Sequence, residues 1–305
     1  MLRSLILWSA AALMFAMFGP LSASPRLAAI VVTDAHTPIS EPMITAALRE
    51  MTDAGYQTLV LEHHGDLSSE TAILAGLVQT GTSAILMEPA DILRSSDTVE
   101  TLRRSGASVV IVGTPLKNDG FASAQVYADE VRCARMGAAE MADLIGQGTY
   151  FELFGSPDDP QAEVRSGAFR EEMQQHSLID RTGFEVADGS YEMARLLTFS
   201  MMSTDWTVEG ILAADDPMAL GAVDTLRELG QLDQVAVGGF GGTADALLAV
   251  QNGDLAFTVI LPQAQIGTIA AKAAISVAKT GSTGLIHERE MLDCTLFARS
   301  EVTSP

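Results

Sequence analysis

Short apolar runs alternate along the chain with longer stretches in which apolar residues recur every three or four positions. Runs such as 28–32 and 108–112 are nearly continuous in apolar residues, which is typical of strands covered on both faces. Strands that alternate with amphipathic helices need crossover connections, so the pattern predicts an α/β fold with mostly parallel sheets. The predicted strands are 27–33, 57–61, 83–87, 108–112, 124–127, 150–154, 183–187, 208–213, 234–238, 256–260 and 292–297.

The clearest predicted helix lies within 215–230. Asp216 suits the N-cap, and Pro217 suits the first helical position, where its missing N–H costs nothing. Gly230 can adopt the left-handed conformation that ends a helix. The other predicted helices are 42–54, 70–80, 98–105, 130–145, 160–175, 191–203, 243–252 and 263–279.

The first 23 residues have the pattern of a secretory signal peptide. Arg3 precedes a run, 5–18, whose only polar member is Ser9, and small residues follow it. This run is shorter than the roughly 20 residues that a membrane-spanning helix needs. No cysteine lies at the junction to carry a lipid. We therefore expect cleavage after Ala23 and a mature protein free in the periplasm.

Composition and charge narrow the class of protein further. The 305 residues are 48% apolar, which excludes disorder as the main state and suggests two domains. No Pro- or Ser-rich linker divides them, so we expect lobes joined by strands that pass between sheets. Lys and Arg number 18 against 39 Asp and Glu, a net charge of −21. Phosphate contacts need clustered Lys and Arg, so nucleic acid is excluded as a partner.

Motifs for catalysis or for cofactor binding are missing from the sequence. It has no G-x-S-x-G elbow, no phosphate-loop lysine and no G-x-G-x-x-G, so we expect no catalytic residues and no cofactor. His63 and His64 are adjacent on an extended segment and point to opposite sides, so we expect no metal site there. Cys133 and Cys294 either form a disulfide or remain two buried thiols, and the sequence leaves both alternatives open.

The segment 208–267 contains an Asp before a helix with MALGA, a V-x-V-G-x-F turn, N-G-D-L, T-V-I and Q-I-G. Together with AAIVVTDAHTP near the start and FELFGSP followed by RSGAF, this order resembles the type I periplasmic sugar-binding proteins of ABC transporters. The resemblance covers nearly all of the mature chain. Repressors of the same fold carry an N-terminal DNA-binding helix pair, whereas this chain has the signal peptide in its place.

The resemblance implies two Rossmann-like lobes joined by a three-strand hinge, with ligand trapped between them as they close. The expected lobes are 24–128 plus 262–290 and 129–261 plus 291–305, with crossings near Ala128, Leu261 and Glu290. It also implies that Cys133 starts the second lobe and that Cys294 lies in the last strand, both near the hinge and close enough for a bridge.

Residue-by-residue correspondence with the family implies a ligand site, but several of the usual sugar-binding side chains differ. An Asp-Arg pair becomes Gly113-Thr114, a second-lobe Arg becomes Glu163, and an Asn becomes Asp215. Either the ligand is different, with a cation suiting the two acids, or other polar groups replace the lost ones. The full predicted set is Thr33, His36, Thr37, Ile39, Gly113, Thr114, Glu163, Gly189, Asp215, Gly241 and Leu261.

The function implied by the resemblance is that of a monomeric periplasmic solute-binding protein. It would pass a small polar ligand, a sugar or a sugar-like compound, to an ABC permease. A ligand-sensing subunit for a histidine kinase or chemoreceptor is the alternative, because the same closure would serve either partner. An enzyme is the third possibility, and only turnover of a ligand would favour it.

Overall fold

The protein is described by a computed structural model over residues 26–205 and 207–299, in which strands and helices alternate along most of the chain. The predicted signal peptide lies outside the described residues. The strands are β1 (Arg26–Val32), β2 (Tyr56–Glu62), β3 (Ala84–Met87), β4 (Ser108–Val112), β5 (Ala124–Ala128), β6 (Gly148–Phe154), β7 (Ile179–Val186), β8 (Gly210–Ala213), β9 (Ala236–Gly241), β10 (Phe257–Ile260), β11 (Arg289–Leu292) and β12 (Thr295–Ala298). The helices are α1 (Ser40–Asp53), α2 (Leu67–Thr80), α3 (Ser95–Arg104), α4 (Glu130–Ile145), α5 (Pro160–Met173), α6 (Tyr191–Met202), α7 (Asp216–Glu228), α8 (Ala244–Asn252) and α9 (Gln263–Thr280).

These strands form two six-stranded sheets. The first has the order β11-β5-β4-β3-β1-β2, and the second has the order β12-β10-β9-β8-β6-β7. All the strand pairs are parallel except β10 with β12. The predicted α/β class with two Rossmann-like sheets is therefore confirmed.

The cores of both lobes come from the apolar runs that predicted the strands. Residues 28–32 of β1 are all completely buried, as expected for a central strand with helices on both faces. Helices α1 and α9 pack together over the first sheet. Their close approach requires Gly267, because a Cβ there would overlap the carbonyl oxygen of Met43. Among the helices of the described residues, none is both long enough and apolar enough to cross a membrane.

The start of α7 differs from the prediction by one residue. Asp215, not Asp216, is the N-cap, and its carboxylate accepts the backbone N–H of Met218 at 2.8 Å. Asp216 is completely buried and accepts hydrogen bonds from the Thr258 hydroxyl at 2.6 Å and the Thr243 backbone N–H at 2.7 Å. Both donors are distant in sequence, so only the folded chain offers Asp216 this alternative to capping.

The chain passes between the sheets at three places: after β5, between β10 and α9, and between β11 and β12. The sequence predicted one strand over 292–297 and a crossing near Glu290, whereas the structure has two short strands here, β11 and β12. Met291 and Leu292 still pair with β5 in the first sheet, and the crossing follows at 293–294. The crossing lies after Leu292 because β11 keeps its pairing with β5 as far as Ala128.

A disulfide joins Cys133 to Cys294, with Cα atoms 5.5 Å apart, and thereby decides between the two alternatives left open. Cys133 lies in the first turn of α4, directly after the first crossing, and Cys294 lies in the third crossing rather than within a strand. The Asp129 N–H donates to the Leu292 carbonyl at 3.0 Å beside this bridge. The first and third crossings are therefore tied together covalently and by hydrogen bonding.

Candidate functional site

A cleft of about 790 Å³ lies between the two sheets and is lined by residues from both. The lining residues follow the strands: Thr33 comes after β1, Glu88 after β3, Gly113 after β4, Asp159 after β6 and Asp215 after β8. In open α/β sheets ligands bind at the carboxyl ends of strands, and the volume is in the range of small-molecule pockets. This cleft is therefore the candidate ligand site.

Glu88 is the main acidic group on the wall formed by the first sheet. Its Oε2 accepts the backbone N–H of Thr33 at 3.0 Å. The ring of His63 lies beneath it, with Nε2 2.9 Å from the Glu88 carbonyl oxygen, and holds this part of the backbone. Burial raises the pKa of the Glu88 carboxyl, and the Thr33 N–H opposes that rise. Gly113, at φ +73°, faces the carboxylate: a Cβ there would lie 3.5 Å from Glu88 Oε1.

A buried acid supports the loop that continues this wall. Glu70 is completely buried and accepts the Ala90 N–H at 2.6 Å and the Ser95 hydroxyl at 2.9 Å. In the same loop Asp91 accepts the Arg94 backbone N–H at 2.8 Å and pairs with its guanidinium at 2.7 Å. These bonds lower the pKa of Asp91 to about 2. Arg94 is thus held at the rim of the cleft.

Arg165 on α5 is the main basic group on the opposite wall. Its guanidinium donates to Ala214 O at 2.7 Å and to Glu130 Oε2 at 3.1 Å. It also lies over the ring of Phe240, 4.3 Å from the centroid, a distance that permits cation–π attraction. Burial raises the pKa of Glu130, and the charge of Arg165 opposes the rise. Three separate elements therefore fix the position of this guanidinium.

Two N-cap carboxylates complete the wall of the second lobe. Asp159 accepts the Gln161 N–H at 2.9 Å at the start of α5, and Asp215 caps α7. Burial raises the pKa of Asp215 to about 6, against the opposing effect of the Met218 N–H. Within the described parts of the chain, neither carboxylate has a Lys, Arg or His within ion-pair distance, and the same is true of Glu88.

The arrangement combines hydrogen-bond acceptors, one fixed guanidinium and apolar surface. Carboxylates can accept hydroxyl or ammonium protons, Arg165 can donate to hydroxyl oxygens, and Phe240 and Ile39 offer apolar contacts. Over residues 26–205 and 207–299, no group of three or more His, Cys, Asp or Glu side chains is placed to hold a metal ion. These groups are suited to recognising a compact polar molecule.

Residues 28–283 match the family described as periplasmic binding protein domain. The chain belongs to this family. It is 26% identical over 276 residues to the D-apiose import binding protein of Paraburkholderia graminis, a match that covers 90% of this chain and 88% of that protein. It is 28% identical over 231 residues to the ribose import binding protein of Bacillus subtilis, covering 74% and 73%. The family expected from the sequence is confirmed.

Solved structures support the same fold for this periplasmic binding protein. An ABC transporter solute binding protein from Bacillus halodurans, with bound myo-inositol, superposes with a TM-score of 0.83 at 20% identity, covering 91% of this chain and 96% of that one. A periplasmic solute binding protein from Actinobacillus succinogenes, with bound D-allose, has the same TM-score at 19% identity, covering 91% and 99%. At these identities the likeness establishes the fold alone.

The cleft of the periplasmic binding protein includes part of the site predicted from the sequence. These predicted residues line it: Thr33, Ile39, Gly113, Thr114, Asp215 and Leu261. All of them follow or end strands at the cleft edge of their sheets, apart from Ile39 at the start of α1. Their contacts with a ligand stay a prediction.

Two predicted residues in the loop after β1 lie outside the lining. His36 is exposed, and its backbone N–H donates to Asp34 Oδ1 at 2.8 Å. Thr37 uses its hydroxyl locally, accepting the Ser40 N–H at 3.0 Å at the start of α1. Neither residue is among those that line the cleft, and their contacts with a ligand stay a prediction.

Glu163 is exposed and is not among the residues that line the cleft. Arg165 lies two residues further along α5, and two residues correspond to about 200° around a helix. Only one of them can face the cleft, and the guanidinium does. This wall of the cleft therefore has an arginine, and a contact of Glu163 with the ligand stays a prediction.

The remaining predicted residues are glycines next to acids. Gly189 is exposed beside Asp215, where a Cβ would lie 3.3 Å from Oδ2. Gly241 is buried, and a Cβ there would lie 3.1 Å from Asp216 Oδ2. Neither is among the residues that line the cleft, and their contacts with a ligand stay a prediction.

Sequence reasoning missed Glu88, Asp159, Arg165, Phe240 and Gln263, all of which line the cleft. For Glu88 a sequence signal existed, because it is the first polar residue after the apolar run 84–87, at the carboxyl end of a predicted strand. For Arg165 there was only the RSGAF motif, and the rotation of α5 cannot be derived from that motif.

Proposed function

We propose that the protein is an exported solute-binding protein that captures a small polar ligand, a sugar or a sugar-like polyol, and delivers it to an ABC permease. The observation that carries the proposal is the cleft of about 790 Å³ between the sheets, lined from both sides by strand-end polar groups. The names of the relatives as import binding proteins support the same role.

The predicted mechanism is closure of the lobes around the ligand. The lobes, taken as 24–128 plus 262–290 and 129–261 plus 291–305 with the last boundary moved to the crossing at 293–294, would rotate about the three crossings. A ligand that contacts Glu88 on one side and Arg165 on the other gains interactions only when both walls are close. The closed form is then the one that a permease can distinguish from the open form.

The family supports a binding role rather than catalysis, and we propose that this protein is not an enzyme. We further propose a periplasmic location, a monomeric state and an ABC permease as partner. The relatives are named for import, and nothing among them supports the alternative partner, a histidine kinase or chemoreceptor. Intact-mass analysis of periplasmic extract should show a protein shortened by about 23 residues at its N-terminus.

Calorimetric titration of the mature protein tests the binding role. Pentoses, hexoses, inositols and their amino derivatives form the panel, and at least one member should bind and stabilise the protein by about 2.7 kcal/mol at 100 times its Kd. Gln263→Ala should weaken that binding about tenfold, because a half-buried amide at the cleft is lost. Gln57→Ala, at an exposed position on β2, is the matched control and should have no effect.

The proposal fails if no polyhydroxylated compound binds, or if Gln57→Ala weakens binding as much as Gln263→Ala. Turnover of a bound compound would refute the non-enzymatic role. Uptake of the bound compound by cells, lost on deletion of this gene, would be the expected result for the transport step.

A further inference from the structure

The cleft contains carboxylates whose hydrogen-bonding capacity is only partly used. Oε2 of Glu88 accepts the Thr33 N–H. Oε1 faces Gly113, which has no side chain to cover it. Across the cleft, Oδ1 of Asp159 accepts the Gln161 N–H. Because an ionised carboxylate has about four lone-pair sites, each of the two keeps acceptor capacity for donors of a ligand.

The nearby cations are already engaged with other acids. Arg94 pairs with Asp91 at 2.7 Å, and Arg165 pairs with Glu130 at 3.1 Å while also donating to a carbonyl. Neither guanidinium forms an ion pair with Glu88 or Asp159. Each wall therefore has a carboxylate that forms no ion pair with the described residues.

Closure of the lobes would bring these like charges together. Burial raises the pKa of Glu88, Thr33 and His63 oppose that rise, and the negative charge of Asp159 across the cleft adds a smaller contribution to it. A neutral polyol would leave this repulsion in place, and an acidic sugar would increase it. A group with positive charge and several N–H donors would relieve the repulsion and occupy the free oxygens.

We propose that the natural ligand is a polyol that carries a protonated amine, bound with its ammonium group between Glu88 of the first lobe and Asp159 of the second. The inference rests on the proposed binding function and narrows its substrate class. The hydroxyl groups of such a ligand face Arg165 and the backbone of the strand ends, and Gly113 leaves the ammonium access to Glu88 Oε1.

Matched pairs of ligands test the substrate class. The neutral members are myo-inositol, D-allose and D-arabinose, and each is paired with analogues in which one hydroxyl is replaced by an amine. Calorimetry at pH 7 should give at least one amine that binds ten times or more tightly than its neutral parent. Glu88→Gln should reduce that advantage at least tenfold, whereas Glu185→Gln, an exposed position on β7, should change it less than twofold.

Asp159→Asn provides a second variant, because asparagine can also cap α5 and the fold is preserved. It should reduce the preference for the amine in the same direction, with an unchanged thermal midpoint. A neutral parent that binds as tightly as its amines overturns the ligand class and leaves the proposed function standing. A preference for amines that survives in both variants also overturns the proposal. If no member of either set binds, both the ligand class and the proposed function fail.

Discussion

Replacing Arg165 with alanine should be among the most damaging single changes to the second lobe. Its ion pair with Glu130 is closely shielded, with side chains only 10% and 12% exposed. Removing one member of a buried pair costs about 3–5 kcal/mol, since the other charge remains buried without a partner. The Ala214 carbonyl and the face of Phe240 also lose their contact. These losses overlap, so we expect about 3–5 kcal/mol in total for Arg165→Ala.

The loss should grow with pH. Burial already raises the pKa of Glu130, and Arg165 opposes that rise, so the variant has a still higher pKa in its folded state. A carboxyl whose folded pKa is raised favours the folded state while protonated and loses that advantage as pH rises. The difference between variant and wild type should therefore be larger at pH 8 than at pH 5. Adding Glu130→Gln should restore part of the loss, because the orphaned charge is removed.

Urea unfolding of the ligand-free protein, followed by circular dichroism at both pH values, measures these free energies. Arg135→Ala is the matched control: its partner Glu171 lies 2.8 Å away on the same helix pair, but the side chains are 47% and 62% exposed. Such a surface pair should contribute less than about 1 kcal/mol. The reasoning is refuted if Arg165→Ala costs no more than Arg135→Ala, or if Glu130→Gln adds to the loss instead of offsetting it.

Three further outcomes are expected. Cys294→Ala removes the bridge to Cys133 and should lower the free energy of unfolding by about 2–5 kcal/mol. An unfolding midpoint that changes neither with this substitution nor with reductant would contradict this. Burial raises the pKa of Asp215 to about 6, so the wild type should lose stability relative to Asp215→Asn as pH rises from 4 to 7. A constant difference between the urea midpoints of the two proteins across that range would argue against this. Glu163→Gln should leave the ligand affinity measured by calorimetry within twofold of the wild-type value. A tenfold loss would show that this exposed residue contributes to binding.

Most of the fold was predictable because it depends on local patterns. Nearly continuous apolar runs such as 108–112 marked strands buried on both faces, and their alternation with helices required parallel sheets. The failure at 292–297 has a physical cause. An apolar run predicts extended backbone but not the partner strand, and here adjacent strands pair in different sheets.

A residue that lines the cleft was predictable from the sequence only where its backbone position alone places it there. Thr33, Gly113 and Thr114 directly follow strands, and strand ends necessarily meet at the cleft edge of a parallel sheet. Glu163 and Arg165 show the limit, since a helix presents residues two apart on nearly opposite faces and its rotation is set by packing.

The sequence by itself determined the α/β class, the family and the position of the candidate site at the ends of the strands. These follow from hydrophobic periodicity and short motifs, which act over a few residues. The tertiary structure alone decided which charges face the cleft, which aspartate caps α7, and that Cys133 meets Cys294 across a sequence separation of 161. Those outcomes depend on side chains brought together from distant segments, where burial and available hydrogen-bond donors select one arrangement among several that the sequence permits.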